Sequence, residues 1–287
     1  MTPSPTTPPH KPEPKPQPTS AQPSPEARAQ ARGTQDADAA AWDRQTLADP
    51  HAREDKPTRV RTMFAAIAKS YDLNNHVHSL GIDHLWRRTA VRAAGVRAGE
   101  TVADIACGTG DLTQAFAKHT EAARVIGIDY TPEMLDIARQ KQPRQVNHDR
   151  IEYRDGDALR LELDDASVDV VSIAFGIRNV GDIPRALAEF RRVLRPGGRL
   201  VVLEFDRPRF APIRWANDLY CGAIMPRTAT LISGDRSGAY LYLPRSVETF
   251  LTREDMLKEI GGAGFQQATH RTLTLGVAAC YRAVRPD

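Results

Sequence analysis

The chain has 287 residues, with 39 Lys or Arg against 36 Asp or Glu, so its formal net charge is +3. This near balance gives no charge-based reason to expect a nucleic-acid partner. The three cysteines are scattered and odd in number, which favours free thiols in a reducing compartment over a disulfide framework. The sequence shows no apolar run of the ~18 residues that a membrane span needs, and no signal peptide at its start. We therefore expect a cytoplasmic protein.

The N-terminal segment is dominated by proline. Residues 1–25 hold 10 of the 21 prolines and almost no large apolar side chains. Such a segment buries too little surface to offset the entropy of ordering it. We predict a disordered tail over residues 1–55 and a folded domain over residues 56–287.

Strand and helix patterns alternate along the folded part. Helical apolar spacing over 60–72 and 82–95 predicts an N-terminal helical lid at 56–95. The next strand-like runs are 101–106, 124–129, 150–156, 168–176 and 198–205, with helix-like stretches at 111–119, 131–142 and 182–194 between them. A helical insertion at 211–243, a helix at 252–265 and two closing strands within 266–284 complete the pattern. This alternation predicts an α/β fold with a doubly wound, mostly parallel seven-stranded sheet, an antiparallel closing strand and a helical cap.

A glycine loop follows the first strand, in the stretch "VADIACGTGDLTQAFAKH" (102–119). Gly108 and Gly110 bring backbone close to a ligand, but the third glycine of a dinucleotide fingerprint is replaced by Thr113. Asp104 and Asp111 flank the loop, where carboxylates favour a cation over a phosphate. S-adenosylmethionine meets these conditions, because its methionine part carries an ammonium group that Asp104 or Asp111 can hold. A turn that only connects strand and helix is the alternative.

Carboxylates also follow the next two strands. Asp129 ends the second strand about 20 residues past the glycine loop, where a carboxylate can accept both ribose hydroxyls. Asp157 follows the third strand and can accept from an adenine amino group, beside the backbone of Ala158. A helix N-cap and an ordinary acidic turn are the respective alternatives. Because ligands bind at the carboxyl ends of such strands, the three positions together favour S-adenosylmethionine.

Five longer motifs carry a resemblance to a known family. They are "YDLNNHVHSLGIDHLWRR" (71–88), "DIACGTGDLT" (104–113), "IAFGIRNVGD" (173–182), "LRPGGRLVVLEFDRP" (194–208) and "YLYLPRSVETF" (240–250). Over roughly residues 58–284 the chain resembles the ubiquinone/menaquinone biosynthesis C-methyltransferases, within the class I S-adenosylmethionine-dependent methyltransferases. The resemblance implies cofactor contacts at Thr109, Asp129, Asp157 and Ala158, and we add Tyr130 and Ala174. Cys107 and Ala174 depart from residues that are frequent in the family, a glycine and a serine.

The resemblance implies methylation of a ring carbon on a polyprenylated benzoquinol or naphthoquinol. A quinol carbon becomes nucleophilic when a neighbouring hydroxyl loses its proton, so the site needs a proton acceptor or an oxyanion stabiliser. We predict Arg178 in this role, oriented by Asn179 and assisted by Tyr71. A structural salt bridge of Arg178 and simple packing of Tyr71 are the alternatives. The sequence has no H-E-x-x-H or C-x-x-C motif, so we predict no metal.

The partners follow from the same substrate class. The stretch 211–232 is rich in apolar residues and can line a prenyl groove, contact the inner face of the membrane, or simply cap the sheet. The sequence does not decide whether the protein forms a homo-oligomer.

Rival functions are a methyltransferase of the same fold for a sterol or a phenol, and an inactive cofactor-binding scaffold. The Asn-Pro-Pro-Tyr-like tetrapeptide of nucleic-acid methyltransferases is missing from the sequence after the fourth strand.

Overall fold

A computed structural model of the protein describes residues 42–43, 45–235 and 237–287. Most of the predicted tail, residues 1–41, lies outside these residues. No helix among the described residues is both long enough and apolar enough to cross a membrane.

The described part of the chain forms a seven-stranded sheet in the order β3-β2-β1-β4-β5-β7-β6. The strands are β1 (Thr101–Ile105), β2 (Arg124–Asp129), β3 (Ile151–Asp155), β4 (Val168–Ala174), β5 (Leu194–Phe205), β6 (Gln266–Leu273) and β7 (Ala278–Val284). The first five strands pair in parallel, while β7 lies antiparallel between β5 and β6. The predicted fold class, including the antiparallel closing strand, is confirmed.

Helices cover both faces of the sheet and form a cap beside it. They are α1 (Lys56–His78), α2 (Ile82–Ala94), α3 (Asp111–His119), α4 (Pro132–Lys141), α5 (Ile183–Val193), α6 (Ala211–Leu219), α7 (Met225–Ser233), α8 (Ala239–Glu248) and α9 (Arg253–Gly262). Apolar residues of α5 and α9 pack on one face of the sheet. Those of α2, α3 and α4 pack on the other face, which makes the sheet doubly wound.

The stretch "LRPGG" begins β5 four residues before the predicted strand start. Val168 of β4 pairs with Leu194, and Val170 pairs with Arg199, so residues 195–198 bulge out of the ladder. Gly197 adopts a φ of +72°, which favours glycine. The stretch between the predicted helix and the predicted strand is therefore a turn that interrupts β5.

The predicted tail boundary at residue 55 is wrong for residues 42–55. Trp42 is only 2% exposed and stacks on Tyr242 with ring centroids 4.3 Å apart. Nε2 of His51 lies 2.9 Å from the carbonyl oxygen of Ser246. A single tryptophan in a polar segment gives no periodic signal, yet it buries a large apolar surface here.

Candidate functional site

A cavity lies at the carboxyl ends of β1, β2 and β4 and is covered by α1. It brings together eight of the residues predicted from the sequence, namely Tyr71, Gly108, Asp129, Tyr130, Asp157, Ala158, Ala174 and Asn179. We call it the first cavity. Its position is where open α/β sheets bind their ligands.

Asp129 is the buried carboxylate of the first cavity. Its Oδ2 accepts a hydrogen bond from the amide of Gly108 at 2.7 Å, and its Oδ1 accepts one from the amide of Thr131 at 2.8 Å. Burial raises the pKa of Asp129, while these amides lower it. Each oxygen keeps a further lone pair, so the carboxylate can still accept hydrogen bonds from a ligand.

The glycine loop owes its shape to neighbouring strands as well as to its backbone. Gly110 has a φ of +83°, and a Cβ placed on it would lie 2.1 Å from the hydroxyl oxygen of Tyr153 on β3. Gly108 has a φ of +56° and open space where a Cβ would stand. Of the two loop glycines, Gly108 lines the first cavity. Gly110 packs against Tyr153 and so supports the loop.

The two carboxylates that flank the loop do not line the first cavity. Asp104 is buried, and its oxygens accept hydrogen bonds from the hydroxyls of Thr113 and Ser172, both at 2.7 Å. Burial raises its pKa to about 6. Asp111 pairs with Nζ of Lys141 at 2.6 Å. Asp104 therefore holds internal hydroxyls and does not reach the first cavity, and its predicted contact with the cofactor stays a prediction.

Thr109 ties the loop to the lid helix α1. Its hydroxyl donates to Oδ1 of Asp72 at 2.5 Å, and Oδ2 of Asp72 pairs with Nζ of Lys141 at 2.6 Å. Because Lys141 also holds Asp111, the glycine loop, α1 and α4 share one network. Thr109 does not line the first cavity, and its hydroxyl contacts the lid; its predicted contact with the cofactor stays a prediction.

A larger cavity of about 480 Å³ adjoins the first one. Tyr71 and Phe175 line both cavities. Elsewhere this second cavity is bounded by α2, by the helices of the cap, α6, α7 and α8, and by apolar side chains that include Trp86, Phe205 and Met225. Two ligands can therefore meet at Tyr71 and Phe175.

Arg178 lines the second cavity, but its guanidinium group is held by hydrogen bonds to three partners. Its Nη1 donates to Oε1 of Glu204 at 2.5 Å and to the carbonyl of Phe175 at 2.7 Å, and its Nε donates to Ser246. Nη2 has no hydrogen-bond acceptor among the described residues. The structural salt bridge that was the alternative for Arg178 is therefore present, and Nη2 remains as a free donor.

Asn179 and Lys56 fix the loop that follows β4. Oδ1 of Asn179 accepts a hydrogen bond from the hydroxyl of Tyr242 at 2.8 Å. Nζ of Lys56, at the start of α1, donates to the carbonyl oxygens of Arg178 and Val180, both at 2.9 Å. Burial lowers the pKa of Lys56 to about 8. The lid is thus anchored to the loop that contributes Arg178 and Asn179.

Several lining residues were missed by the sequence reasoning. Ala106 and Phe175 follow β1 and β4 with φ values of +50° and +56°, and they place the strand ends against the first cavity. Neither alanine nor phenylalanine is a residue type from which a positive φ can be predicted. Val60 and Phe64 also line the cavity, and their spacing of four along a predicted helix was a usable signal.

One group of described residues has the composition of a metal site. Ligand atoms of His76, Asp83 and His84 lie within 4.8 Å of one another. Asp83 already pairs with Nη1 of Arg87 at 2.5 Å. The positive charge of this guanidinium disfavours binding of a metal ion at the same carboxylate.

The first cavity fits S-adenosylmethionine. It offers a buried carboxylate at Asp129, a second carboxylate at Asp157 and glycine backbone at Gly108. Lys and Arg are represented among its lining residues only by Arg61, whose guanidinium lies 5.1 Å from the ring centroid of Tyr130. This donor set suits a nucleoside with a cationic group better than a polyphosphate.

Comparison with solved structures supports the fold. A methyltransferase solved with the Haloferax volcanii Trm112 activator aligns with a TM-score of 0.57 at 18% identity, over 78% of this chain and 98% of that one. An S-adenosylmethionine-dependent methyltransferase from Aquifex aeolicus aligns with a TM-score of 0.51 at 16% identity, over 69% and 88%. At these identities the likeness shows the fold alone.

Comparison of sequences shows the family. The model of the ubiE/COQ5 methyltransferase family matches residues 52–285. A demethylmenaquinone methyltransferase of Deinococcus radiodurans is 43% identical over 80% of this chain and 93% of its own length. A ubiquinone/menaquinone biosynthesis C-methyltransferase UbiE of Erwinia tasmaniensis is 37% identical over 80% and 92%. The chain therefore belongs to the ubiE/COQ5 methyltransferase family, and it is a C-methyltransferase that uses S-adenosylmethionine.

Proposed function

We propose that the enzyme methylates a ring carbon of a polyprenylated quinol, with demethylmenaquinol as the preferred substrate and the benzoquinol precursor of ubiquinone as the second. The observation that carries the proposal is the pair of cavities that share Tyr71 and Phe175. The second cavity is large and mostly apolar, which suits an aromatic ring with an isoprenoid tail. The similarity to the demethylmenaquinone methyltransferase of Deinococcus radiodurans favours the naphthoquinol.

The first cavity would hold S-adenosylmethionine, which when bound supplies an electrophilic sulfonium methyl group. Asp129 would accept hydrogen bonds from the ribose hydroxyls. Asp157 and the backbone of Ala158 would bind the adenine, with Tyr130 and Ala174 beside them. Lys56 and Asp72 hold α1 over the cavity.

Arg178 and Tyr71 act on the quinol in this proposal, and Asn179 supports Arg178. The free Nη2 of Arg178 donates to the quinol oxygen that becomes negative, and the hydroxyl proton passes to solvent in the second cavity. The ring carbon that gains the methyl group then loses its own proton to solvent, which restores the aromatic ring. Because Glu204 balances its charge, Arg178 contributes a directed hydrogen bond more than a net positive field. Asn179 positions the loop, and burial keeps Tyr71 protonated by raising its pKa, so Tyr71 serves as a donor.

The reaction takes place in the cytoplasm at the inner face of the cell membrane in this proposal, since a polyprenyl tail partitions into the bilayer. The test is methyl transfer by the purified protein, with S-adenosylmethionine and reduced demethylmenaquinone as substrates and a sterol and a simple phenol as controls. Mass spectrometry is expected to find a methyl group on the naphthoquinol ring carbon only. Methylation of the sterol or of the phenol oxygen would favour the rival substrate class.

Quinone profiling of a strain that lacks the protein is the matching test in cells. We expect a demethyl quinone to accumulate, and its ring identifies the substrate. An unchanged quinone profile would contradict the proposal.

A further inference from the structure

The helical cap carries an outer side that nothing in the described chain covers. No residue of α6 or of the π-helical turn Tyr220–Ile224 is buried. In α7 only Pro226 and Ala229 are buried. A helix normally buries its apolar stripe against another element, so this segment lacks a partner.

The uncovered residues form an apolar row. Trp215 is 70% exposed, Leu219 49%, Ile224 48% and Leu231 86%. Their spacings are four, five and seven residues, and the step of five falls across the π-helical turn. A π turn needs about one residue more than an α turn, so all four side chains stay on one side. A row of this kind marks an interaction surface.

Basic residues accompany the row. Residues 207–233 contain four arginines and one acidic residue, Asp218. Arg207 pairs with Asp218 and Arg209 with Glu254, so Arg214 and Arg227 carry the charge that no described carboxylate balances. Arg214 and Arg227 are exposed. Apolar and aromatic side chains with arginines around them are typical of helices that lie in the surface of a bilayer containing anionic lipids.

The inner side of the same segment lines the second cavity. Tyr220, Cys221 and Met225 face that cavity, and the hydroxyl of Tyr220 donates to the carbonyl of His78 on the lid helix. Nε2 of His78 lies 2.8 Å from Oγ1 of Thr228 on α7. A single layer of helix therefore separates the cavity from whatever covers the apolar row.

We propose that the apolar row Trp215, Leu219, Ile224 and Leu231 docks on an anionic bilayer and places the second cavity against the membrane. The identity of this partner rests on the proposed function, because a polyprenyl quinol lies in the bilayer. The charge pattern supports the same choice. A twofold dimer through this face would bring the same basic patch of both copies together, which is unfavourable.

The test uses the tryptophan fluorescence of the full chain. Of the three tryptophans, Trp42 and Trp86 are 2% and 5% exposed, so Trp215 alone can report a change of surroundings at the surface. Vesicles of phosphatidylglycerol and phosphatidylcholine, without quinol or cofactor, are expected to shift its emission to the blue and to cosediment with the protein. Phosphatidylcholine vesicles should bind more weakly, and salt should weaken binding to the anionic vesicles.

Matched variants distinguish binding through the apolar row from nonspecific binding of the protein to vesicles. Leu219→Ser with Ile224→Ser is expected to weaken binding at least tenfold, and Arg214→Gln or Arg227→Gln about fivefold each. Val146→Ser, an equally exposed apolar site in the loop before β3, is the control and should bind like the parent protein. None of these side chains lines the first or the second cavity, so turnover of a short-chain soluble quinol should persist.

Three results would overturn the proposal. The first is binding that these variants leave unchanged, and the second is no binding to either vesicle. The third is a dimer in vesicle-free solution that Leu219→Ser with Ile224→Ser dissociates, which would assign the row to a second copy. Failure of the proposed substrate is seen separately, as vesicle binding without any quinol methylation.

Discussion

Arg178 and Glu204 form an ion pair in the interior of the domain. Their side chains are 3% and 2% exposed, and Nη1 lies 2.5 Å from Oε1. The pair joins the loop after β4 to the end of β5. A residue predicted to act on the substrate is thus also part of the internal support of the site.

Removal of Arg178 is expected to affect stability and turnover together. Arg178→Ala leaves Glu204 buried without its partner, which costs about 3–5 kcal/mol of unfolding free energy. Arg178→Met with Glu204→Gln removes both charges, and we expect it to regain much of that stability. Denaturant unfolding measures this difference.

The same two variants test the chemistry. If Nη2 of Arg178 stabilises the quinol oxyanion, the stable double variant should still lose about 10²–10³-fold in kcat, while its affinity for S-adenosylmethionine stays near that of the parent. Near-normal turnover by the double variant would reduce Arg178 to a structural role and leave Tyr71 as the candidate.

Asp129 is expected to determine cofactor affinity. Asp129→Asn keeps the size of the side chain but turns one acceptor into a donor and removes the charge. We expect a loss of about 1.5–3 kcal/mol in the binding of S-adenosylmethionine, measured by calorimetry. Asp104→Asn is the control, because Asp104 does not line the first cavity and its substitution should leave the affinity nearly unchanged. Equal losses in both variants would argue against a ribose contact at Asp129.

Asp104 is expected to make stability depend on pH in an unusual direction. Burial raises its pKa to about 6 from 3.8, so the folded state holds a proton that the unfolded state has released between these values. The contribution of Asp104 to the free energy of unfolding is fully present below about pH 4 and is lost as the pH rises through 6. The total change is about 3 kcal/mol. Relative to Asp104→Asn, the parent should lose unfolding free energy across this range. Parallel pH profiles would show that Asp104 does not titrate in this way.

The segment 42–55 is expected to belong to the folded domain. Deletion of residues 1–55 removes Trp42 from its stack on Tyr242, which in turn donates to Asn179 beside the first cavity. Compared with deletion of residues 1–41, it should lower the melting temperature and weaken cofactor binding. Trp42→Ala within the longer protein should reproduce most of this loss, about 3–5 kcal/mol. Indistinguishable melting of the two truncations would restore the boundary at residue 55.

The fold and half of the site could be predicted from local sequence patterns, because the alternation of strands and helices is visible in the sequence. Asp129 and Asp157 could be placed because alternation fixes where parallel strands end, and those ends meet at one edge. The partner of Arg178 could not be found in this way. Glu204 lies 26 residues further on, and only the pairing of β4 with β5 brings the two together.

Asp104 and Thr109 show a second limit. The sequence places both beside the cofactor, but the direction of each side chain depends on which neighbour offers a hydrogen bond. Asp104 turns to Thr113 and Ser172, and Thr109 turns to Asp72 of the lid. Such choices are made by tertiary packing and carry no periodic signal.

The contact between Gly110 and Tyr153 has a consequence for how this protein can change over generations. The space that a larger residue at 110 would need is filled by a ring on another strand, and the left-handed backbone adds its own penalty. A mutation at 110 therefore becomes tolerable only in a lineage where the ring at 153 has already been lost and the loop has relaxed. The packing thus fixes the order of the substitutions, although neither Gly110 nor Tyr153 is predicted to take part in the reaction.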